Sequence, residues 1–149
     1  MLSFFQTTPN LPDGYCLETH EIPPAKSLNK LLGICNQDKY PPNILTKAME
    51  KSTFNLSIFE ESTGDLVGFI RATSDKGLNA NLWNLLAAPI KGQKKFIAVL
   101  IHHAIEILKR EHPGCSISIA APSNSIELLK QEGFLIDPGG IRAMGLKLR

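Results

Sequence analysis

One long apolar stripe constrains the fold more than any other feature of the sequence. Between Phe96 and Leu108 the apolar side chains recur at helical spacing, at positions 97, 100, 101, 104, 105 and 108. Residues in such a pattern share one face of an α-helix, whereas His102, Glu106 and Lys109 fall off that face. The stripe therefore predicts a long amphipathic helix whose apolar face is buried against another layer of structure.

The segments around this helix show both strand and helix patterns. Alternating apolar and polar residues predict strands at 14–22, 54–74 (a β-hairpin), 82–88, 115–121 and 141–148. Helical spacing predicts short helices at 25–35, at 44–52 with Asn43 as its N-cap, and within 123–134, capped by Ser123 or Asn124 and closed by Gly133. This order of elements implies one mixed sheet with helices on its faces.

Composition narrows the class of protein. The 149 residues are enough for one domain, 1–149, and 43% of them are hydrophobic. A net charge of +2 is too small to indicate nucleic acid or a membrane as the partner. The three cysteines include no C-x-x-C pair, and this favours a cytoplasmic chain with reduced cysteines. We therefore expect no metal site. The first ten residues lack the basic start and apolar core of a signal peptide, so we expect a cytoplasmic protein.

Several strings resemble those of a known superfamily. The helix string "SIELLKQEGF" and the order of elements are similar to those of the GNAT N-acyltransferases. "GFIRATSD" at 68–75, Leu82–Trp83 and "DPGGIRAM" at 137–144 resemble, more narrowly, the plastid and cyanobacterial serotonin N-acetyltransferases. These strings span roughly half of the chain. The resemblance implies a three-layer α+β fold, with a mostly antiparallel mixed sheet of six to seven strands flanked by about four helices.

The resemblance also implies a reaction and a co-substrate. In this superfamily an amine attacks the thioester of acetyl-CoA directly, without a covalent enzyme intermediate. The strand at 82–88 would separate from the strand at 115–121, and the pantetheine arm would lie in the gap. Backbone groups of Leu86 and Ala87, beside Leu85, would then pair with the arm and polarise the thioester carbonyl.

The loop that would hold the pyrophosphate has lost its glycines. The superfamily pattern Gln/Arg-Gly-x-Gly-x-Gly/Ala falls on 92–97, where Gln93, Lys95 and Ile97 occupy the glycine positions. Lys94 and Lys95 could offset the loss by charge beside a helix N-terminus, or they could be a solvated turn. The candidate cofactor-binding residues are Leu85, Leu86, Ala87, Gly92, Gln93, Lys94, Lys95, Phe96, Ile97, Ala98 and Asn124.

Other positions depart from the pattern as well. Leu129 stands where the superfamily most often has a tyrosine that protonates the departing thiolate, so no catalytic side chain is assigned. Arg71, Asp75 and Asn84 are candidates to line the amine site, although an Arg71–Asp75 salt bridge at the hairpin end is an equal alternative. Trp83 is interpreted as a core or interface residue rather than a stacking platform.

Three functions are left open by the sequence. The first is an N-acetyltransferase acting on a small-molecule or protein amine, with activity weakened or lost. The second is a non-catalytic acyl-CoA-binding or partner-binding module on the same fold, and the third is a transferase with another acyl donor. A homodimer formed through the final strand is also expected from analogy.

Overall fold

The computed structural model describes residues 7–148, which is the chain without its first six residues and Arg149. The prediction that the chain has no signal peptide rests on the first ten residues, and the first six of these lie outside the described residues. Among residues 7–148, no helix combines the length and the hydropathy needed to cross a membrane.

A five-stranded sheet forms the centre of the fold. Its strands are β1 (Tyr15–Glu18), β2 (Phe54–Glu60), β3 (Leu66–Ser74), β4 (Asn79–Ala87) and β5 (Ser116–Ile119), adjacent in that order. The first four strands are antiparallel, and β5 pairs with β4 in parallel. The helices are α1 (Ala25–Ile34), α2 (Pro42–Lys51), α3 (Gln93–Glu111) and α4 (Ile126–Gln131), with 3₁₀ turns at Ser123–Ser125 and Pro138–Gly140.

The helices pack in two separate groups. Helix α3 contacts β2, β3, β4 and α4, whereas α1 contacts α2, β3 and β4. A Cβ at Gly68 in β3 would lie 3.1–3.3 Å from Ile58 and Leu100, so the glycine allows α3 to approach the sheet closely. The three-layer α+β class is thus confirmed, with four helices but five strands among the described residues instead of six to seven.

The apolar stripe of α3 is confirmed as the main core element. All six predicted positions are 6% exposed or less, and Leu100 and Ile101 are fully buried. Burying one such side chain stabilises a fold by about 1.5–3 kcal/mol. Because this single helix covers three strands, its periodicity carries much of the information about the fold.

The predicted helix caps are wrong in detail. Helix α2 begins at Pro42 and Asn43 lies inside its first turn, because a proline at the first position needs no N–H acceptor. The N-cap of α4 is Ser125, and its hydroxyl donates to the Pro122 carbonyl over 2.7 Å instead of capping the helix. The prediction that Gly133 closes this helix is confirmed, since it adopts φ +98° directly after the C-cap.

The predicted final strand is wrong. Residues 141–148 form no strand, and Met144 in this segment is 97% exposed. Strand β5 is also less buried than its sequence predicts, with Ser116 and Ser118 exposed and Ile117 and Ile119 half-buried. The reason is that β5 pairs only with β4, so within the described residues its other edge has no partner strand.

Candidate functional site

Strand β4 extends beyond its shorter parallel neighbour β5. Their parallel pairing joins Asn79–Leu82 to Ser116–Ile119, and β4 then continues to Ala87 without β5. Asn84 adopts φ +54° at this point, and the β3–β4 register shifts between Phe69 and Arg71. This β-bulge adds one residue to β4 and bends it. Beyond Leu82, β4 therefore has no strand paired on its β5 side, and we call this unpaired stretch of β4 the gap.

Two side chains reach the last carbonyl of β4 in this gap. The Ala87 carbonyl accepts a hydrogen bond from Gln93 Nε2 at 3.1 Å and another from Cys35 Sγ at 3.4 Å. Burial raises the pKa of the Cys35 thiol, which favours its neutral, donating form. The Ala88 N–H donates to Val67 on β3, whereas the Ala87 carbonyl is held by groups from α1 and α3. The backbone predicted to bind the pantetheine arm is thus partly occupied by Gln93.

The N-terminus of α3 lies next to this gap and has no cap. Gly92 precedes the helix with φ +99°, no side chain caps the first turn, and that turn carries no acidic residue. The N–H groups of Lys94 and Lys95 have no acceptor among residues 7–148, and both side chains are exposed. Two lysines in a first turn interact unfavourably with the positive end of the helix dipole, and a bound anion would offset this repulsion. This end of α3 is therefore suited to a phosphate.

The remaining cofactor-loop candidates face other directions. Phe96 is fully buried, and its ring packs on that of Tyr15 at a centroid distance of 4.8 Å. Ile97 belongs to the buried stripe, so only the backbones of these two residues could contact a ligand at the loop. Ala98 is half-buried on the outer side of α3, and Asn124 is exposed in the 3₁₀ turn without a capping hydrogen bond. Leu129 is a core residue, 3% exposed.

A polar surface surrounds the bulge of β4. Arg71 Nε donates to Asn84 Oδ1 over 2.7 Å, and Arg71 Nη1 donates to Ser52 Oγ over 3.4 Å. Arg71 is opposite Trp83 in the β3–β4 register, so their side chains share one face of the sheet. Trp83 is 39% exposed, and its Nε1 donates to Thr73 Oγ1 over 2.8 Å. We call this surface, made of Ser52, Arg71, Thr73, Trp83 and Asn84, the Arg71 face.

Desolvation acts on the cation of the Arg71 face. Partial burial lowers the pKa of the Arg71 guanidinium, and the nearby Tyr40 opposes that shift. Tyr40 is positioned by Asn29, whose side chain donates to the Tyr40 carbonyl and accepts from its N–H over 2.8 and 3.0 Å. These two bonds tie the loop between α1 and α2 to α1.

Asp75 is separate from this face. It lies at the exposed turn between β3 and β4, where its Oδ1 accepts the N–H groups of Gly77 and Leu78 over 2.9 and 2.8 Å. Backbone hydrogen bonds, that from Gly77 foremost, lower the pKa of Asp75. The alternative Arg71–Asp75 salt bridge is not formed, since no ion pair of the described residues includes Arg71. The structure thus brings Arg71 and Asn84 together and leaves Asp75 in the turn.

Sequence reasoning missed several residues of the site. Thr73 follows Arg71 by two positions on β3, so strand periodicity alone would have placed it on the same face. Ser52, Tyr40 and Cys35 carry no such signal, because loops and helix ends bring them to the sheet. The expectation that Trp83 lies in the core is wrong, because it is exposed at the surface, and the interface alternative stays a prediction.

Comparisons with known proteins identify relatives of this chain. No model of a known protein family matches the chain. An uncharacterized N-acetyltransferase, ycf52, of Porphyra purpurea is 30% identical over 139 residues, which are 90% of this chain and 77% of that protein. The corresponding protein of Pyropia yezoensis is 31% identical over 108 residues, 71% of this chain but only 62% of the relative's length.

Solved structures show the same fold at low identity. A probable acetyltransferase of methicillin-resistant Staphylococcus aureus superposes with a TM-score of 0.77 at 15% identity, over 89% of this chain and 100% of that one. A GNAT-family acetyltransferase of Streptococcus pneumoniae gives a TM-score of 0.68 at 14% identity, over 91% and 98%. The length of the Porphyra alignment and the shared fold lead to one conclusion: the chain belongs to the GNAT family of N-acetyltransferases.

Proposed function

We propose that this chain transfers an acetyl group from acetyl-CoA to a primary amine by direct attack. The amine nitrogen bonds to the thioester carbonyl carbon, the carbon–sulfur bond breaks, and CoA leaves as a thiol after a proton passes from the amine to the sulfur. The observation that carries the proposal is the gap beyond Leu82, where β4 continues without β5 beside the uncapped start of α3. A thioester arm and a diphosphate would be held by these two neighbouring features.

The proposed binding mode uses mainly backbone groups. The pantetheine arm would lie along Leu85–Ala87, with the Gln93 amide leaving the Ala87 carbonyl to make room. The diphosphate would accept hydrogen bonds from the free backbone N–H groups of Lys94 and Lys95 and form ion pairs with their side chains. Charge would replace the close backbone approach that glycines allow. The affinity should consequently depend strongly on salt.

The proposed chemistry lacks a side-chain acid at the usual place. Leu129 is buried and cannot protonate the leaving thiolate. General-acid assistance is typically worth about 10²–10⁴ in rate. A thiolate leaves without protonation more readily than an amine does, so turnover would be slowed but not abolished.

Calorimetry with matched ligands and variants tests this binding mode. The double variant Lys94→Ala/Lys95→Ala should weaken acetyl-CoA binding and flatten its salt dependence. It should leave S-acetylpantetheine, which has no diphosphate, unaffected. Lys109→Ala, at the opposite end of α3, is the control for loss of charge. No binding of acetyl-CoA at millimolar concentration would refute the proposal.

A second candidate is a non-catalytic module that binds an acyl-CoA or a partner protein. The contact that favours it is the Gln93–Ala87 hydrogen bond, because a side chain occupies the gap in the free protein. Release of free CoA thiol in the presence of small and protein amines separates the two candidates. Binding without thiol release would support the module, and amine-dependent release would support the transferase.

We also retain the homodimer as a proposal, with a second copy of the chain as the partner. The free edge of β5 lies beside a groove of about 490 Å³ lined by Ile117, Ile119 and Ile141. Leu146 and Leu148 are exposed and alternate with polar or small residues, as a strand does. Leu146→Glu/Leu148→Glu should abolish concentration-dependent association in sedimentation. Association that survives this change would exclude the C-terminal segment as the contact.

A further inference from the structure

Arg71 is a partly buried cation whose hydrogen-bond acceptors are all neutral. Its two hydrogen-bond acceptors are the Asn84 amide oxygen and the Ser52 hydroxyl. None of the ion pairs among residues 7–148 includes it. A guanidinium withdrawn from water without a counter-charge is destabilising unless hydrogen bonds or a ligand compensate. The fold therefore holds a positive charge at the bulge at a cost in folding free energy.

The Arg71 guanidinium is held in position, but not all of its N–H donors have an acceptor. The 2.7 Å bond to Asn84 fixes the Nε edge, and Asn84 itself is fixed by its left-handed backbone in the bulge. A guanidinium has five N–H donors, and Nη2 has no acceptor among the described residues. A planar carboxylate is the group that such a free donor pair binds best.

The surroundings of Arg71 select a particular kind of ligand. Trp83 offers a partly exposed indole opposite Arg71. The rest of the Arg71 face consists of hydroxyls and one amide, without a carboxylate that could hold an ammonium group. A simple cationic amine would meet a like charge here, whereas an amine that also bears a carboxylate would meet a partner.

The distance from Arg71 to the gap suits such a ligand. Asn84 and Ala87 are three residues apart on β4, which is at most about 10 Å and less where the bulge at Asn84 bends the strand. The Arg71 side chain and the backbone of an amino acid can span this interval together. A carboxylate bound at Arg71 would place the neighbouring amino group on the way to Ala87.

We propose that the acceptor is an amine carrying a carboxylate, such as an aromatic amino acid, and that Arg71, held by Asn84, binds this carboxylate. This inference rests on the proposed function, because it assigns the acceptor of the same transfer. Arg71 would be a specificity-determining residue and Asn84 a positioning residue. The simple arylalkylamines implied by the resemblance would be the poorer substrates.

Paired substrates test the inference during turnover. Phenylalanine with phenethylamine, and tryptophan with tryptamine, differ only in the carboxylate. A charge-assisted pair contributes about 1.5–3 kcal/mol, so kcat/KM should favour each amino acid by about 10-fold to 160-fold. Arg71→Gln should remove the preference, and Arg71→Lys should retain part of it. Equal kcat/KM values for wild type, or a preference for the amines, would overturn the inference.

Asn84→Asp is the sharper variant. It supplies an internal carboxylate to Arg71 and keeps the guanidinium in place, so the preference should vanish while thermal stability is maintained or increased. Lys51→Gln, which removes an exposed charge at the end of α2 beside Ser52, should keep the wild-type preference. If Asn84→Asp retains the preference, or if Arg71→Gln lowers both substrates equally, Arg71 has a structural role only.

Binding of product-like ligands separates this inference from the proposed function. N-acetylphenylalanine and N-acetylphenethylamine can be titrated by calorimetry in the absence of acetyl-CoA. Arg71-dependent binding of the first ligand alone, in a protein that shows no turnover, would uphold the carboxylate site and refute the transferase. Turnover of amines together with no Arg71-dependent discrimination would uphold the transferase and refute the carboxylate site. The absence of both turnover and Arg71-dependent binding would refute both.

Discussion

Substitution of Gly92 by alanine tests whether the start of α3 is as tightly built as the structure shows. Gly92 adopts φ +99°, a conformation that costs an alanine about 1–2 kcal/mol. A Cβ there would also lie 3.2–3.3 Å from the Phe96 ring and 3.4 Å from Pro12. Phe96 is fully buried, so its ring cannot move aside freely. We expect this crowding to add about 1 kcal/mol to the backbone cost.

Gly133 provides a matched control for the backbone contribution. Its φ is +98°, and a Cβ built on it meets nothing within 4 Å. Gly133→Ala should therefore report the backbone strain alone, and Gly92→Ala the strain plus the crowding. An additional 1 kcal/mol corresponds to a Tm lower by roughly 2–4 °C for a chain of this size.

Urea unfolding of the two variants, followed by circular dichroism, measures the difference. Gly92→Ala should unfold at lower urea than Gly133→Ala, with an unchanged slope. If acetyl-CoA binds at the start of α3, Gly92→Ala should also weaken that binding and Gly133→Ala should not. A Gly92→Ala variant as stable as Gly133→Ala would refute the packing described around Phe96 and Pro12.

Two further predictions follow from the direction of pKa shifts. Because burial raises the pKa of Cys35, iodoacetamide near pH 8 should label the exposed Cys16 before Cys35. Mass spectrometry of the peptides measures the order of labelling. Faster labelling of Cys35 would contradict its contact with the Ala87 carbonyl. Burial, reinforced by His102 and opposed by Glu106, lowers the pKa of His103 on α3. His103 therefore binds a proton at a higher pH in the unfolded chain than in the folded one. The free energy of unfolding should consequently fall as the pH drops below about 6.5. His103→Gln should reduce the loss of Tm between about pH 7.5 and about pH 5.5, and an unchanged loss would assign the pH dependence to other groups.

Much of the fold could be predicted because it depends on local periodicity. The stripe of α3 specifies its buried face, and the structure buries it. Most apolar positions of β2 and β3 are buried as well, but so are the polar Asn55 and Ser57 between them, because both faces of these central strands are covered. Alternation specifies a face but not a partner, and this explains the wrong prediction for 141–148. A strand needs a neighbouring edge as well as a pattern, and nothing in the local sequence encodes that pairing.

The site was predictable only in outline. The resemblance indicated the second half of β4 as the place to look, but the side chains that contact it there could not be predicted. Gln93 reaches the Ala87 carbonyl across a turn, and Arg71 reaches Asn84 because a bulge reorients β4. Both contacts depend on backbone conformations at Gly92 and Asn84 that residue patterns do not specify. The solvated-turn interpretation of Lys94 and Lys95 agrees with their exposure, and water satisfies free N–H groups at an exposed helix start as readily as a phosphate does.

The short pairing between β4 and β5 has a consequence for how the chain opens. Only four residues of β5 are joined to the rest of the sheet, whereas β3 and β4 are paired over most of their nine-residue lengths. Amide hydrogens in the C-terminal quarter should then exchange with solvent through local unfolding, at a lower free energy than those of β3. A ligand bound in the gap would contact both sides of this weak junction. Slower exchange in β5 and α4 would thus be a sensitive report of occupancy, even for a ligand that is never turned over.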